Sequence, residues 1–304
     1  MHPIPWQRRL MLAIAAFVTV VLLGQGLPGA AIETPTPSPG ATLNWAEVES
    51  STLALAPAQL SGTAGSFCPS DLRRAIASIA NQPQFGSAQW GIIIESAVDG
   101  TVLYEQNADV ALIPASNVKL WTTAAALEIT RSRNPQALGD LTDWITVVNR
   151  DSNNNSADRL LRSIGGQQAV RQALAPLGVD ATTYIQVDGS GLSRQNRGTP
   201  AGFMALLRAM RTHAASELFY RSLPVGGVTG TLRNRFRDTF VEGQVRAKTG
   251  TLRGVRALSG YVESPTYGPL IFSILINQPG QSGSVMVGAI DQMVLQMARV
   301  SPCA

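Results

Sequence analysis

The chain has 304 residues, 45% of them hydrophobic and 14% charged, with a net charge of +4 and a pI of about 9.4. That composition excludes a disordered chain and provides core for one large domain or two small ones. The basic residues form no block, which argues against a nucleic-acid reader with its clustered stripe, and attraction to anionic envelope polymers rests on modest charge alone.

Arg8 and Arg9 precede an apolar run from Leu10 to Leu23, and small residues follow at Gly29, Ala30 and Ala31. This order matches a secretory signal, with cleavage expected near Ala30 or Ala31. The run is short for a membrane span of about twenty residues. Residues 1–31 are therefore read as a signal peptide, with an uncleaved N-terminal anchor as the alternative, and the remainder as exported to the periplasm or cell envelope. Residues 32–65 are rich in Pro, Ser and Thr and hold the string Thr34-Pro35-Thr36-Pro37-Ser38-Pro39. Proline at every second position prevents a helix or a central strand, so this segment reads as a tether.

The domain proper is expected over residues 66–304. Pro69, Ser70 and Asp71 followed by Leu72, Ala75, Ile76 and Ile79 predict a helix. Gln89–Glu95 and Thr101–Glu105, joined by Val98-Asp99-Gly100, predict a hairpin. Ala115–Glu128 reads as a helix with Leu120, Trp121, Ala124 and Leu127 on its apolar side. Helical stretches follow over 157–177 and 200–213. Three strands are expected at 244–251, 255–263 and 270–277, and a last helix at 284–300. The order predicts an α+β fold: an antiparallel five-stranded sheet assembled from both ends of the chain, flanked by helices, with an all-helical lobe in the middle.

Cys68 and Cys303 sit near the two ends of this region. An oxidising compartment permits their pairing, which would tie the first helix to the last; two free thiols are the alternative. These isolated cysteines and the lone downstream His213 supply no metal-ligand set.

Lysine occurs only at positions 119 and 248; the other basic side chains are arginine. Arginine stays protonated, whereas a desolvated lysine can act as a base. Both lysines lie in suggestive strings, Ser116-Asn117-Val118-Lys119 and Lys248-Thr249-Gly250. On a helix, Ser116 and Lys119 share a face one turn apart, and Pro114 puts the serine near the positive helix end. For Lys119 to act as a base near neutrality its pKa must fall by about three units, on the order of 4 kcal/mol. Burial and a neighbouring positive charge supply such a drop, and Lys248 is the candidate neighbour. Gly250 would let a substrate backbone lie along the strand, and Thr249 would bind a carboxylate. Ideal alternation sends Lys248 and Thr249 to opposite faces, so sharing a cleft requires twist or an edge position. Between the lysines, Asp151-Ser152-Asn153-Asn154 offers a proton relay at Ser152 and an amide at Asn154, although the same string is ordinary N-cap chemistry.

S-x-x-K, a Ser-x-Asn string and K-T-G, in this order, mark penicillin-interacting serine enzymes. Pro114–Leu120, Asp188-Gly189-Ser190-Gly191-Leu192-Ser193-Arg194 and Ala247–Leu252 resemble boxes of the D-Ala-D-Ala carboxypeptidases of the S13 peptidase family. The resemblance runs from about Cys68 to the C-terminus. It implies a β-lactamase/transpeptidase-like fold and a serine peptidase acting on peptidoglycan peptides, acylated by β-lactams, without cofactor. By analogy Ser116 is the nucleophile and Lys119 the base; Ser152, Asn154, Lys248, Thr249 and Gly250 line the site; and the backbone N–H groups of Ser116 and Thr251 form the oxyanion hole. The inserted subdomains usual in the family are not seen between the first two boxes, where only residues 120–151 intervene. The Asp188–Arg194 string reads as a tight turn shaping the cleft. Arg253 and Arg256 are read as solvated or packed, and His213 as structural.

A Ser-His-Asp hydrolase and a zinc peptidase lack the needed residues. A class A β-lactamase would use a glutamate downstream of the second box, yet none occurs between Glu128 and Glu217. A D,D-endopeptidase and a catalytically inactive wall-binding protein stay as alternatives.

Overall fold

Pro69 at the first helical turn, Asp71 accepting from the Cys68 N–H, and the stripe Leu72, Ile76 and Ile79 produce helix α1 (Pro69–Ala80). The computed structural model describes residues 66–303, so the expectations for 1–31 and 32–65 lie outside the described residues. Strands β1 (Gln89–Ser96) and β2 (Val102–Gln106) form the expected hairpin. A 3-10 turn at Ala115–Asn117 leads into α2 (Val118–Arg133).

The helical lobe follows: α3 (Thr142–Asn149), α4 (Asn154–Ser163) and α5 (Gly166–Leu174). A two-residue pair, β3 (Tyr184–Ile185) and β4 (Arg197–Gly198), precedes α6 (Pro200–Thr212) and α7 (Ser216–Arg221). Strands β5 (Val245–Leu252), β6 (Val255–Ser264) and β7 (Gly268–Asn277) then lead to α8 (Gly283–Arg299). The sheet order is β2-β1-β7-β6-β5, with every neighbouring pair antiparallel. The first hairpin and the last three strands thus share one sheet, as the sequence predicts.

Period-two alternation explains why both faces are covered. Ile92 and Ile94 of β1, with Phe272 and Ile274 of β7, pack under α1 and α8. Ile93, Ile271 and Leu275 point the other way, towards α2 and α6. Helix α2 therefore lies between the sheet and the lobe. Every residue from Val118 to Glu128 is buried, not only the predicted apolar stripe, because the lobe closes over the second face. At its centre Trp121 stacks on Phe203 of α6, with ring centroids 4.7 Å apart and planes 7° from parallel.

Cys68 and Cys303 are not linked in this structure. The chain ends do meet: Ser301 N donates to Phe67 O at 2.8 Å, and the two thiols lie within hydrogen-bonding reach. His213 is structural. Its Nε2 faces Glu128 Oε2 at 2.8 Å, and its Nδ1 accepts from Ala215 N at 3.0 Å.

Trp121→Ala removes the ring on which α2 and α6 meet and is expected to cost about 3–5 kcal/mol of stability. Urea unfolding measures this; a loss below about 1 kcal/mol would show that the stack contributes little beyond contact area.

Candidate active site

The chain departs from ordinary backbone geometry immediately before the candidate nucleophile. Ala115 has φ of 49°, a left-handed conformation that costs a non-glycine residue about 1–3 kcal/mol. This turn brings Ser116 out of the core: within Pro114–Glu128 it alone is not buried. Asn117 anchors the turn from below, donating to Ser259 Oγ at 2.7 Å, and Ser259 in turn meets Ser273 at 2.8 Å.

Gly250 lines the cleft, and the space at its β-position has a use that was not expected. A β-carbon there would lie 2.5 Å from Pro114 O and 3.3 Å from Asn117 Oδ1. The missing side chain lets the Ser116 turn dock on β5. Strand β5 is the sheet edge, which resolves the alternation problem. Lys248 is fully buried and bends its amine to Ser152 Oγ at 2.9 Å and to Thr249 O at 3.0 Å. Thr249 donates to Thr231 Oγ1 at 2.7 Å.

The second string serves structure and site together. Asn153 caps α4, accepting from Ser156 N at 2.9 Å. The flanking residues turn inward. Ser152, at φ of 56°, receives Lys248, and Asn154 Oδ1 accepts from Lys119 Nζ at 2.9 Å. Lys119 Nζ also reaches Ser116 Oγ at 2.9 Å and donates to Ser190 O. Ser116 Oγ itself lies 3.3 Å from the same Ser190 carbonyl.

This geometry has a valence consequence. A neutral amine has two N–H bonds and one lone pair. The Asn154 and Ser190 oxygens can only accept, so they take both N–H bonds and leave the lone pair aimed at Ser116 Oγ. Burial favours the neutral amine and brings the Lys119 pKa from its ordinary value down to about 8, against the opposing charges of Asp158 and Asp188. Lys248 is lowered well below its ordinary value, first by complete burial and then by the charge on Lys119. Burial is the first cause at both amines, and repulsion between the two charged forms is mutual.

Ser116, Ser152, Thr231, Thr249, Thr251 and Arg256 line one cleft of about 260 Å³. The predicted residues thus converge, apart from the cysteines at the far ends of the fold. Arg256 lines the cleft while its guanidinium is packed against Leu252 O and Val255 O at 2.8 and 2.7 Å. The Ser190 carbonyl is the main contact that the sequence reading missed. Its signal was the Asp188–Arg194 string, which does more than shape a turn. Among the described residues no group of three or more His, Cys, Asp or Glu is arranged to hold a metal.

The sequence model of the D-Ala-D-Ala carboxypeptidase 3 (S13) family matches residues 72–132 and 138–300. A D-alanyl-D-alanine carboxypeptidase of Actinomadura sp. is 39% identical over 175 residues, 52% of this chain and 32% of that protein. The D-alanyl-D-alanine carboxypeptidase DacB of Haemophilus influenzae is 29% identical over 152 residues, 45% of this chain and 32% of the relative. These matches span about a third of each relative's length. By fold alone, the chain resembles penicillin binding protein 4 of Haemophilus influenzae, solved in complex with a β-lactam (TM-score 0.62, 14% identity, 73% of this chain and 98% of that one). It also resembles a β-lactamase from Chitinophaga pinensis (TM-score 0.61, 19% identity, 75% and 98%).

The reactivity of Ser116 towards an activated acyl donor is expected to rise with pH through about 8, as Lys119 loses its proton and gains its lone pair. Stopped-flow acylation across pH checks this. Lys119→Arg, which keeps its charge at every accessible pH, should be unreactive throughout; a reactive arginine variant would remove Lys119 from the role of base.

Proposed function

The chain belongs to the D-Ala-D-Ala carboxypeptidase 3 (S13) family, and on that premise we propose that it is a serine D,D-carboxypeptidase acting on peptidoglycan stem peptides through an acyl-enzyme. The single observation that carries this reading is the Lys119 amine, buried and held by Asn154 and Ser190 with Ser116 Oγ 2.9 Å away. Ser116 Oγ attacks the carbonyl of the penultimate D-alanine, and its proton passes to Lys119 Nζ. The N–H groups of Ser116 and Thr251 face the oxyanion. As the peptide bond breaks, the leaving amine of the terminal D-alanine takes a proton relayed through Ser152, which Lys248 holds at 2.9 Å. Water then cleaves the ester, releasing the shortened peptide and returning the proton to Ser116. Thr249 and Thr251 supply hydroxyls, and Arg256 positive charge, for the terminal carboxylate.

A β-lactam would enter the same sequence and form an ester with Ser116. The residues lining the cleft include no carboxylate to take the part of the glutamate that a class A β-lactamase uses on its hydrolytic water. Acylation without rapid turnover follows, which separates this reading from a β-lactamase. A D,D-endopeptidase would use identical chemistry on a branched substrate.

The decisive experiment is mass spectrometry of muropeptides after incubation with wild-type protein and with Lys119→Ala. Pentapeptides should lose one alanine mass with the wild type only. Unchanged pentapeptides with both proteins would reject the carboxypeptidase, and cleaved cross-links would favour the endopeptidase.

We further infer that residues 1–31 direct export, that 32–65 act as a tether, and that Cys68 and Cys303 pair once the chain reaches an oxidising compartment. The two thiols lie within hydrogen-bonding reach of each other, so pairing needs little movement of the chain ends. Protein purified from an oxidising compartment should react with iodoacetamide only after reduction. Alkylation of both cysteines without reductant would reject the pairing.

A further inference from the structure

A backbone carbonyl has no side chain of its own to aim it; its neighbours must do so. The Ser190 carbonyl meets Lys119 because its loop is gripped from two sides. Asp158 Oδ1 accepts from both Gly189 N and Ser190 N, each at 2.9 Å. Asp188 accepts from Gly191 N and Ser193 N, each at 2.7 Å, and from Asn196 Nδ2 at 2.9 Å. Close packing locks the same loop. A β-carbon on Gly189 would lie 2.4 Å from Ala157 O, and one on Gly191, at φ of +81°, 2.0 Å from Ala115 O. The loop is thus wedged between α4 and the turn that presents Ser116.

Asp158 and Asn154 stand one turn apart on α4 and share a face. Asn154 contacts the amine directly, and Asp158 reaches it through the loop. We propose that Asp158 is a positioning residue of the acylation step: it aims the Ser190 carbonyl at Lys119, and its charge stabilises the ammonium formed when Lys119 takes the Ser116 proton. This inference rests on the carboxypeptidase reading above. Three other charges belong to the same balance: the Lys119 ammonium itself, Asp188 from the loop and Lys248 from β5. Asp158 is the larger of the two carboxylate influences that hold Lys119 in its protonated form, and Lys119 is the charge that opposes protonation of Lys248.

The two duties of Asp158 separate by substitution. Asp158→Asn keeps one oxygen able to accept both N–H groups but removes the charge. Asp158→Ala removes both. Since lysine occurs only at positions 119 and 248, lysine labelled with carbon-13 at Cε gives two NMR signals, and Lys119 can be titrated without any enzymatic assay.

In Asp158→Asn the Lys119 midpoint should fall by roughly half a pH unit or more, as expected when a nearby opposite charge is lost. The acid limb of acylation by fluorescent penicillin should move by the same amount. The high-pH rate should fall about threefold to tenfold, because the amine has become a weaker base. Asp158→Ala should show the same midpoint shift with a larger loss of rate. If Asp158→Asn leaves both midpoint and limb at the wild-type pH, the proposal is overturned, even if Asp158→Ala is inactive. A merely structural aspartate predicts that outcome. Should Asp158→Ala not fold, Asp158→Asn decides alone, its folding checked by a dispersed Lys248 signal and a cooperative melt. Failure of the wild type to react with penicillin would reject the carboxypeptidase reading instead, and the titration would still test the charge effect.

Discussion

The buried amine of Lys119 is the constraint that the rest of the site obeys. An ammonium in a closed interior is costly unless each N–H finds an acceptor. Here the acceptors are Ser116 Oγ, Asn154 Oδ1 and Ser190 O. They come from a 3-10 turn, a helix N-terminus and a loop, so three separate parts of the chain must converge on one nitrogen. The strained turn at Ala115 and the left-handed Ser152 both lie on this path. Strain at those positions is the local consequence of bringing a polar constellation into a packed region.

The sheet has a separate duty. Strand β5 contributes the second amine and a row of threonine side chains, and it can do so because it is an edge. Gly250 and the Ser116 turn connect the halves: the carbonyl of Pro114 sits where a β-carbon of residue 250 would be. The distance between nucleophile and K-T-G strand is therefore set by backbone contact, which is stiffer than contact between long side chains. Ser152 completes the link from the lobe side by taking a hydrogen bond from Lys248.

Much of this was legible in the sequence for identifiable reasons. The hairpin and the last three strands carry β-rich apolar runs bounded by turn residues, and their antiparallel pairing follows from short connections. The spacing of Ser116 and Lys119 has one geometric meaning on a helix. Three matters were not legible. The burial of α2 on all sides depends on a lobe folded over it, which local periodicity does not report. Helices at 142–149 and 216–221 are too short for a clear stripe. The Ser190 contact uses a backbone oxygen, which has no residue signature; only the glycines flanking it and the carboxylates binding its N–H groups mark the place.

Two buried lysines beside one cleft raise the question of which holds the proton. Burial lowers both, and repulsion makes full protonation of the pair unfavourable. Burial favours the neutral form of each amine, and the carboxylates favour the proton at Lys119. Asp158 and Asp188 act on Lys119, whereas Lys248, enclosed in the sheet, is opposed by the Lys119 charge. The carboxylates thus help to hold a proton on Lys119, the amine that must be neutral to react. A base needs both properties: it must be free often enough to accept, and basic enough to keep what it accepts. An arginine at either position would remain charged and remove the choice, which gives a physical reason why lysine occurs only at positions 119 and 248 while arginine supplies the positive charge elsewhere.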